Sequence, residues 1–313
     1  MWFKNLFKNS LIVSVGVFLL VGMPFSCRFS GSNTNIESDT THIKKLANFL
    51  HDDEIDSIMH KAPPHVKGQR YEGVIPWPQP WDDFRGKKMD TIYWEGRDIP
   101  YLDMRGVTMR SAYAINCNLI KSDFRASDIR WTDFSHSNLI GSNFDQARLF
   151  HVKVNDAILD SCTFRGANMF GMEGHGTMMR ACDFSGALMK DAEFLHANMQ
   201  GARGIKTRLI RAVLRGSILD STDFSYSDFT GGGLEKVSFR GAKLRHANFQ
   251  GARLMHADFS GADLFDVNFF GSHFDKTSMK GAKNIPKEIL PFMDKDSLVT
   301  GSWQNLKKHL KGR

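Results

Sequence analysis

Twelve histidines and four cysteines give this 313-residue chain an ample stock of metal ligands and nucleophiles. Their spacing decides whether they can act together. A zinc site needs side chains that converge within bonds of about 2 Å. His51-Asp52-Asp53-Glu54 has the right residue types, but consecutive residues of an amphipathic helix point to different sides, so the run reads as a solvated helix surface. No glycine-rich loop follows a strand and opens a helix, the arrangement in which backbone amides cradle a phosphate. No nucleophile is legibly paired with a base. The expectation is therefore no catalytic set, no metal and no cofactor.

The elements that would position such residues follow an unusual period. Between Phe239 and Phe265 every fifth residue is large and apolar: Phe239, Leu244, Phe249, Leu254, Phe259, Leu264. The residue two before each is small: Val237, Ala242, Ala247, Ala252, Ala257, Ala262. Strands repeat every two residues and helices every 3.6, so neither fits. A period of five requires a corner every five residues. Four corners make a square coil of about twenty residues, and coils stack at the ~4.8 Å spacing of paired strands. The frame holds from Met104 to Met279 through 36 pentapeptides without an insertion, and only Ala114, Gly174 and Gly204 break the apolar centre. A frame held that long establishes a repeat protein. It also separates the histidines. His136, His196 and His256 lie sixty residues apart, three coils or ~14 Å, too far for a shared zinc.

The units Ala-Asn-Phe-Gln-Gly at 247–251, Ala-Asp-Phe-Ser-Gly at 257–261 and Ala-Asp-Leu-Phe-Asp at 262–266 match the A(D/N)LXX pattern of pentapeptide repeat proteins. The chain resembles that family over roughly residues 100 to 284. The resemblance implies an all-β solenoid, a right-handed quadrilateral β-helix of about nine coils and ~43 Å. The family has no catalytic motif. Its best understood members mimic DNA and bind type II topoisomerases. Mimicry needs an acidic surface, whereas this chain carries a net charge of +7 with basic and acidic residues alternating along the repeat. Topoisomerase binding is therefore the alternative reading, not the leading one. The basic residues Arg203, Lys206, Arg208, Arg211 and Arg215 fall on three faces and make no continuous track, so nucleic acid is not an expected partner.

The N-terminus points to export. Lys4 and Lys8 precede a 13-residue apolar run, Leu11 to Met23, followed by Pro24-Phe25-Ser26-Cys27. The run is short for a membrane span and suits a secretory signal. The segment resembles a bacterial lipoprotein signal, although Pro24 stands where such signals carry Leu. That resemblance implies lipidation at Cys27 and anchoring to an inner or outer membrane; plain secretion to the periplasm or beyond is the alternative. The division expected is 1–27 signal, 28–99 tether, helix and aromatic N-terminal cap, 100–284 β-helix, and 285–313 C-terminal helical cap. An unrecognised enzymatic or ligand-binding activity would have to reside in 28–99.

Within the repeat, Cys117, Cys162 and Cys182 occupy the small inward column and read as buried small side chains. Met172 is expected to fill the space left by Gly174, and Ile205 to turn inward in a bulge beside Gly204. One outward column reads Arg130, Phe150, Phe170, Lys190, Ile210, Thr230, Gln250, Phe270, which stacks Phe150 on Phe170 one coil apart, with Leu188 and Ile210 on the same face. This set is the candidate partner-binding surface. It should be covered, either by the chain's own residues 65–99 or by a partner or second copy. The function expected is an exported, lipid-anchored, non-enzymatic scaffold of a bacterial envelope. It would contact a protein partner or itself through a solenoid face, and a membrane through its anchor.

Overall fold

The computed structural model describes residues 78–302. The signal, Cys27 and the amphipathic helix expected around His51 to Glu54 lie outside the described residues, as does the segment 303–313. From Asp83 onward the backbone pairs in parallel with the residue twenty positions along: Asp83 with Asp103, Asp103 with Asp123, and so on to Asp263 with Lys283. The ladder makes ten rises, or about 48 Å. Each rise is fixed from both sides. Phe84 N–H donates to the Asp103 carbonyl at 2.8 Å, and Asp103 N–H donates to the Asp82 carbonyl at 3.0 Å. The result is the four-sided right-handed β-helix.

Each side contributes three residues: a small inward residue, an outward residue and a large inward centre. A turn then follows. At a representative corner Ala147 N–H donates to the Phe144 carbonyl at 3.0 Å, and Gln146 holds φ of 61°. Positive φ at the second central residue is what a type II turn demands. Glycine suits that position, yet Ala126 and Ala181 also hold φ of 54° there.

The centres fill the square as stacks. Phe124, Phe144, Phe164 and Phe184 form one column with ring centroids 4.9, 5.0 and 5.3 Å apart, close to the coil rise itself. The small column is more than a space-saver. Its hydroxyls and thiols donate to the carbonyl 23 residues upstream: Ser137 to Ala114 at 2.7 Å, Thr277 to Leu254 at 2.6 Å, and Cys162 and Cys182 to Leu139 and Leu159 at 3.0 Å each. Some hydroxyls also accept, as Ser137 does from Cys117 N–H at 2.9 Å. Most buried polar atoms of this column are thereby satisfied; Thr222 instead donates to Leu219 in its own coil, and the buried Ser127 Oγ has no partner among the described residues.

The two glycine interruptions are filled from the next coil. A Cβ on Gly204 would lie 2.0 Å from the ring of Phe224, and one on Gly174 would lie 2.5 Å from the ring of Phe194. Met172 is fully buried, but Phe194 is the side chain that leans into the Gly174 site. No bulge forms at Ile205, because Arg203 keeps its regular pairing with Asp223.

The ends differ from the sequence-based division. The ladder takes in a full coil before residue 100, with Phe84, Met89, Trp94 and Ile99 buried as its centres. That coil carries Asp82 and Lys87 where later coils have small inward residues. At a rod terminus this position opens to solvent, so a charged side chain is allowed. Lys87 Nζ lies 5.0 Å above the Phe84 ring. At the other end, β1 (His273–Ser278) pairs antiparallel with β2 (Leu298–Ser302), and one 3-10 turn, Leu290–Phe292, lies between them. A strand therefore covers the last coil's edge, the 3-10 turn lies in the first segment expected to be helical, and the second such segment lies almost wholly outside the described residues.

Restoring the repeat pattern at Gly204 should harm the protein. Gly204→Leu is expected to cost about 1–3 kcal/mol through overpacking against Phe224, seen as a lowered thermal midpoint; an unchanged or raised midpoint would contradict the packing. Conversely, Ala181→Gly should raise stability by about 1 kcal/mol by relieving positive φ, which denaturant titration will measure.

Candidate functional site

The expected surface set is only partly brought together. Phe150 and Phe170 stack with centroids 5.1 Å apart at 8°. Leu188 packs against them, whereas Ile210 is half-buried and lies outside this cluster. The rings point away from the main core but are not free: Phe150 is 3% and Phe170 4% exposed. Trp131 meets Phe150 edge-on at 5.7 Å, and the His151 ring stands edge-on to Phe150 at 4.4 Å and to Phe170 at 5.9 Å. This corrects the reading of Phe150 and Phe170 as a partner-binding surface. The apolar pair is consumed in a small second core on the outside of the rod.

Sequence reasoning missed Trp131 and His151 because both sit in the corner column, which was treated as solvent-facing. His151 lies across Gly171, where a Cβ would be 2.5 Å from its Cε1. Burial pushes the His151 imidazole below its ordinary value, against smaller opposing effects from the Glu173 charge and a backbone hydrogen bond. The neutral ring is thus the form that packs here.

A different cluster is open to solvent. Tyr226 and His246 occupy one corner column a coil apart and stack at 4.6 Å. Phe265 meets His246 edge-on at 5.3 Å, and the Arg245 guanidinium lies 4.6 Å above Phe265. His246 Nδ1 is 2.9 Å from Asp266 Oδ2, and Arg245 Nη1 donates to Asp263 at 3.1 Å. Tyr226 is 55% and Phe265 42% exposed. Sorting the two corner columns by twenties would have found this cluster in the sequence.

No group of three metal-ligating side chains converges among the described residues. Cys117, Cys162 and Cys182 are free and buried, and burial raises the thiols of Cys162 and Cys182. These cysteines are structural donors rather than nucleophiles. The outward arginines are largely matched to carboxylates: Arg85, Arg105 and Arg125 each pair at 2.6 Å with Asp83, Asp103 and Asp123, and Arg110 with Asp90 at 2.6 Å.

Because the outer aromatic cluster is packed, Phe150→Ala should lower stability by about 3 kcal/mol, whereas a free surface ring would leave it unchanged. His151 adds a pH dependence. Its folded value is depressed, so the unfolded chain binds more protons in the window just below the ordinary value of 6.5. Stability should therefore fall as pH drops from about 6.5 to 5, and His151→Gln should flatten that fall in thermal midpoint. Equal slopes in both proteins would contradict the burial of neutral His151.

No curated protein matches the chain. Among solved structures it is similar to HetL, a pentapeptide repeat protein involved in heterocyst differentiation regulation from the cyanobacterium Nostoc sp. strain PCC 7120, at 20% identity over 64% of this chain and 92% of that one, with a TM-score of 0.34. It is also similar to QnrB1, a plasmid-mediated fluoroquinolone resistance protein, at 17% identity over 64% and 92%, TM-score 0.34. A third is a pentapeptide repeat protein from the Arabidopsis thaliana thylakoid lumen, at 19% identity over 40% and 82%, TM-score 0.22. The family model for pentapeptide repeats matches residues 103–141, 127–166, 175–203, 205–232 and 234–271. These segments make up just over half of the chain, which belongs to the pentapeptide repeat family.

Proposed function

We propose that this protein is a non-enzymatic scaffold, exported and held to a bacterial membrane through lipid on Cys27, that binds a protein partner along its rod. The observation that carries the binding role is the exposed corner of Tyr226, His246, Phe265 and Arg245. Tyrosine and arginine are the residue types enriched where interfaces concentrate their energy, and here they are held by stacking on a rigid backbone, so little ordering is needed on binding. The export role rests on the basic flank, short apolar run and Cys27 of the sequence. Acyl chains on that cysteine would bury about 0.8 kcal/mol per CH₂ in a bilayer. A DNA-like surface would need unmatched carboxylates in register, whereas Asp83, Asp103 and Asp123 each face an arginine.

Two measurements test the proposal separately. Intact-mass analysis of the native protein should show Cys27 as the first residue with added acyl mass; an unmodified N-terminus, or cleavage elsewhere, contradicts the anchor. Affinity capture from native membranes should recover a partner that is lost with the Tyr226→Ala/Phe265→Ser variant while thermal stability holds. Undiminished capture would remove this corner as the contact face.

A further inference from the structure

The side of the rod whose outward column runs Ile158, Met178, Asn198, Ile218, Ser238, Asp258, Ser278 changes character near the C-terminal end. Upstream its corners carry Ile120, Ile140, Asp160 and Arg180, with Arg180 paired to Asp160. Downstream, one corner column reads Lys236, His256, Lys276 and the other Arg240, Ser260, Lys280. Cationic side chains thus flank a strip of hydroxyl and carboxylate groups in two coils, Lys236 with Arg240 and Lys276 with Lys280, and His256 and Ser260 lie in the coil between. Lys236, Lys276 and Lys280 are exposed and have no ion-pair partner among the described residues. Arg240 beside them is paired with Asp258, as most described arginines are with a carboxylate.

Between these columns lies a shallow groove of about 360 Å³, lined by Ile218, Lys236, Ser238, Arg240, His256 and Asp258, with Asp220 at its edge. The groove is mixed in chemistry. Ser238 donates to Asp220, Arg240 Nε donates to Asp258 at 2.5 Å, and the Ser260 and Ser278 hydroxyls lie 3.1 Å apart. Ile218 is 39% exposed and supplies an apolar floor.

From this we infer that the groove binds an acidic oligosaccharide, a chain of uronic-acid units. The two carboxylates select against a phosphodiester chain, which has charge but few donors to offer Asp220 and Asp258. A uronate carries both parts: carboxylates for the lysines and Arg240, and hydroxyls that donate to the aspartates and serines. The C–H face of a sugar ring fits Ile218. No Phe, Tyr or Trp ring lines the groove, so base stacking, the usual attraction for single-stranded nucleic acid, lacks its main platform there. Lys236 and Lys276 stand two coils apart, as do Arg240 and Lys280, a spacing of about 9.6 Å, which suits a linear ligand with regularly repeated charge. The inference does not depend on export, on the lipid anchor or on the Tyr226 corner.

The test uses the full chain in detergent and tetragalacturonate as the probe, with binding followed by calorimetry and thermal midpoints recorded for every variant. Saturable binding is expected, with none for the neutral maltotetraose. Lys236→Gln/Lys276→Gln should weaken it by about tenfold, equivalent to about 1.4 kcal/mol, and Lys280→Gln should weaken it alone if the double variant is unstable. Arg105→Gln, remote from the groove, should leave it unchanged. Absence of saturable uronate binding, or equal affinity in the lysine variants, would overturn the inference. So would tighter binding to single-stranded DNA or to phosphatidylglycerol vesicles, because the groove would then be a general polyanion surface.

Discussion

The distance of twenty residues between hydrogen-bonded partners governs this molecule. Asp83 pairs with Asp103, Asp123 with Asn143 and Asp223 with Lys243 without a single slip, because each coil is bonded to its neighbour at every side. A side chain therefore always meets the residue twenty positions away. Identical residues stack on themselves, as Phe229 and Phe249 do at 4.7 Å and Phe239 and Phe259 at 5.0 Å. The same constraint leaves no room to dodge. Where a ring tilts toward the coil before it, as Phe224 does, the facing centre must shrink to glycine.

Outward columns inherit this order and use it for different ends. One side near the N-terminus carries a ladder in which Arg85 and Arg105 each reach a second carboxylate in the next coil, at 3.5 and 3.7 Å. Exposed pairs of this kind add little stability, but they neutralise the face. A second side builds the buried outer cluster around Phe150 and Phe170. A corner near the far end keeps Tyr226 and Phe265 open, and another side gathers unmatched lysines. The backbone makes all four sides alike; the identity of each column decides which side packs, which stays neutral and which can bind.

Most of the fold was legible because the centres and small positions obey size alone. Phe124, Phe184 and Leu254 need only be large and apolar, and the sequence states that directly. The terminal coil at Phe84 to Ile99 was hidden because its inward small positions hold Asp82 and Lys87, which only an open end tolerates. The surface was harder to read. Outward pointing and exposure are separate properties: Phe170 points out and is still covered, through contacts with His151 from the preceding corner. Exposure depends on which neighbours twenty residues away are long enough to fold over a ring, and a single column does not contain that information. Phe194 beside Gly174 gives the same lesson for the core, since the filler came from the next coil and not from the adjacent Met172.

The fixed register is tested most directly by a distance across many coils. Lys121 and Ser221 lie in one exposed corner column, 100 residues and five coils apart. Spin labels at these two positions, in a chain with Cys27 replaced by serine and the buried cysteines left in place, should give a single narrow distance near 24 Å by pulsed electron resonance. A broad distribution, or a mean beyond about 40 Å, would show that the coils do not stack in the twenty-residue register.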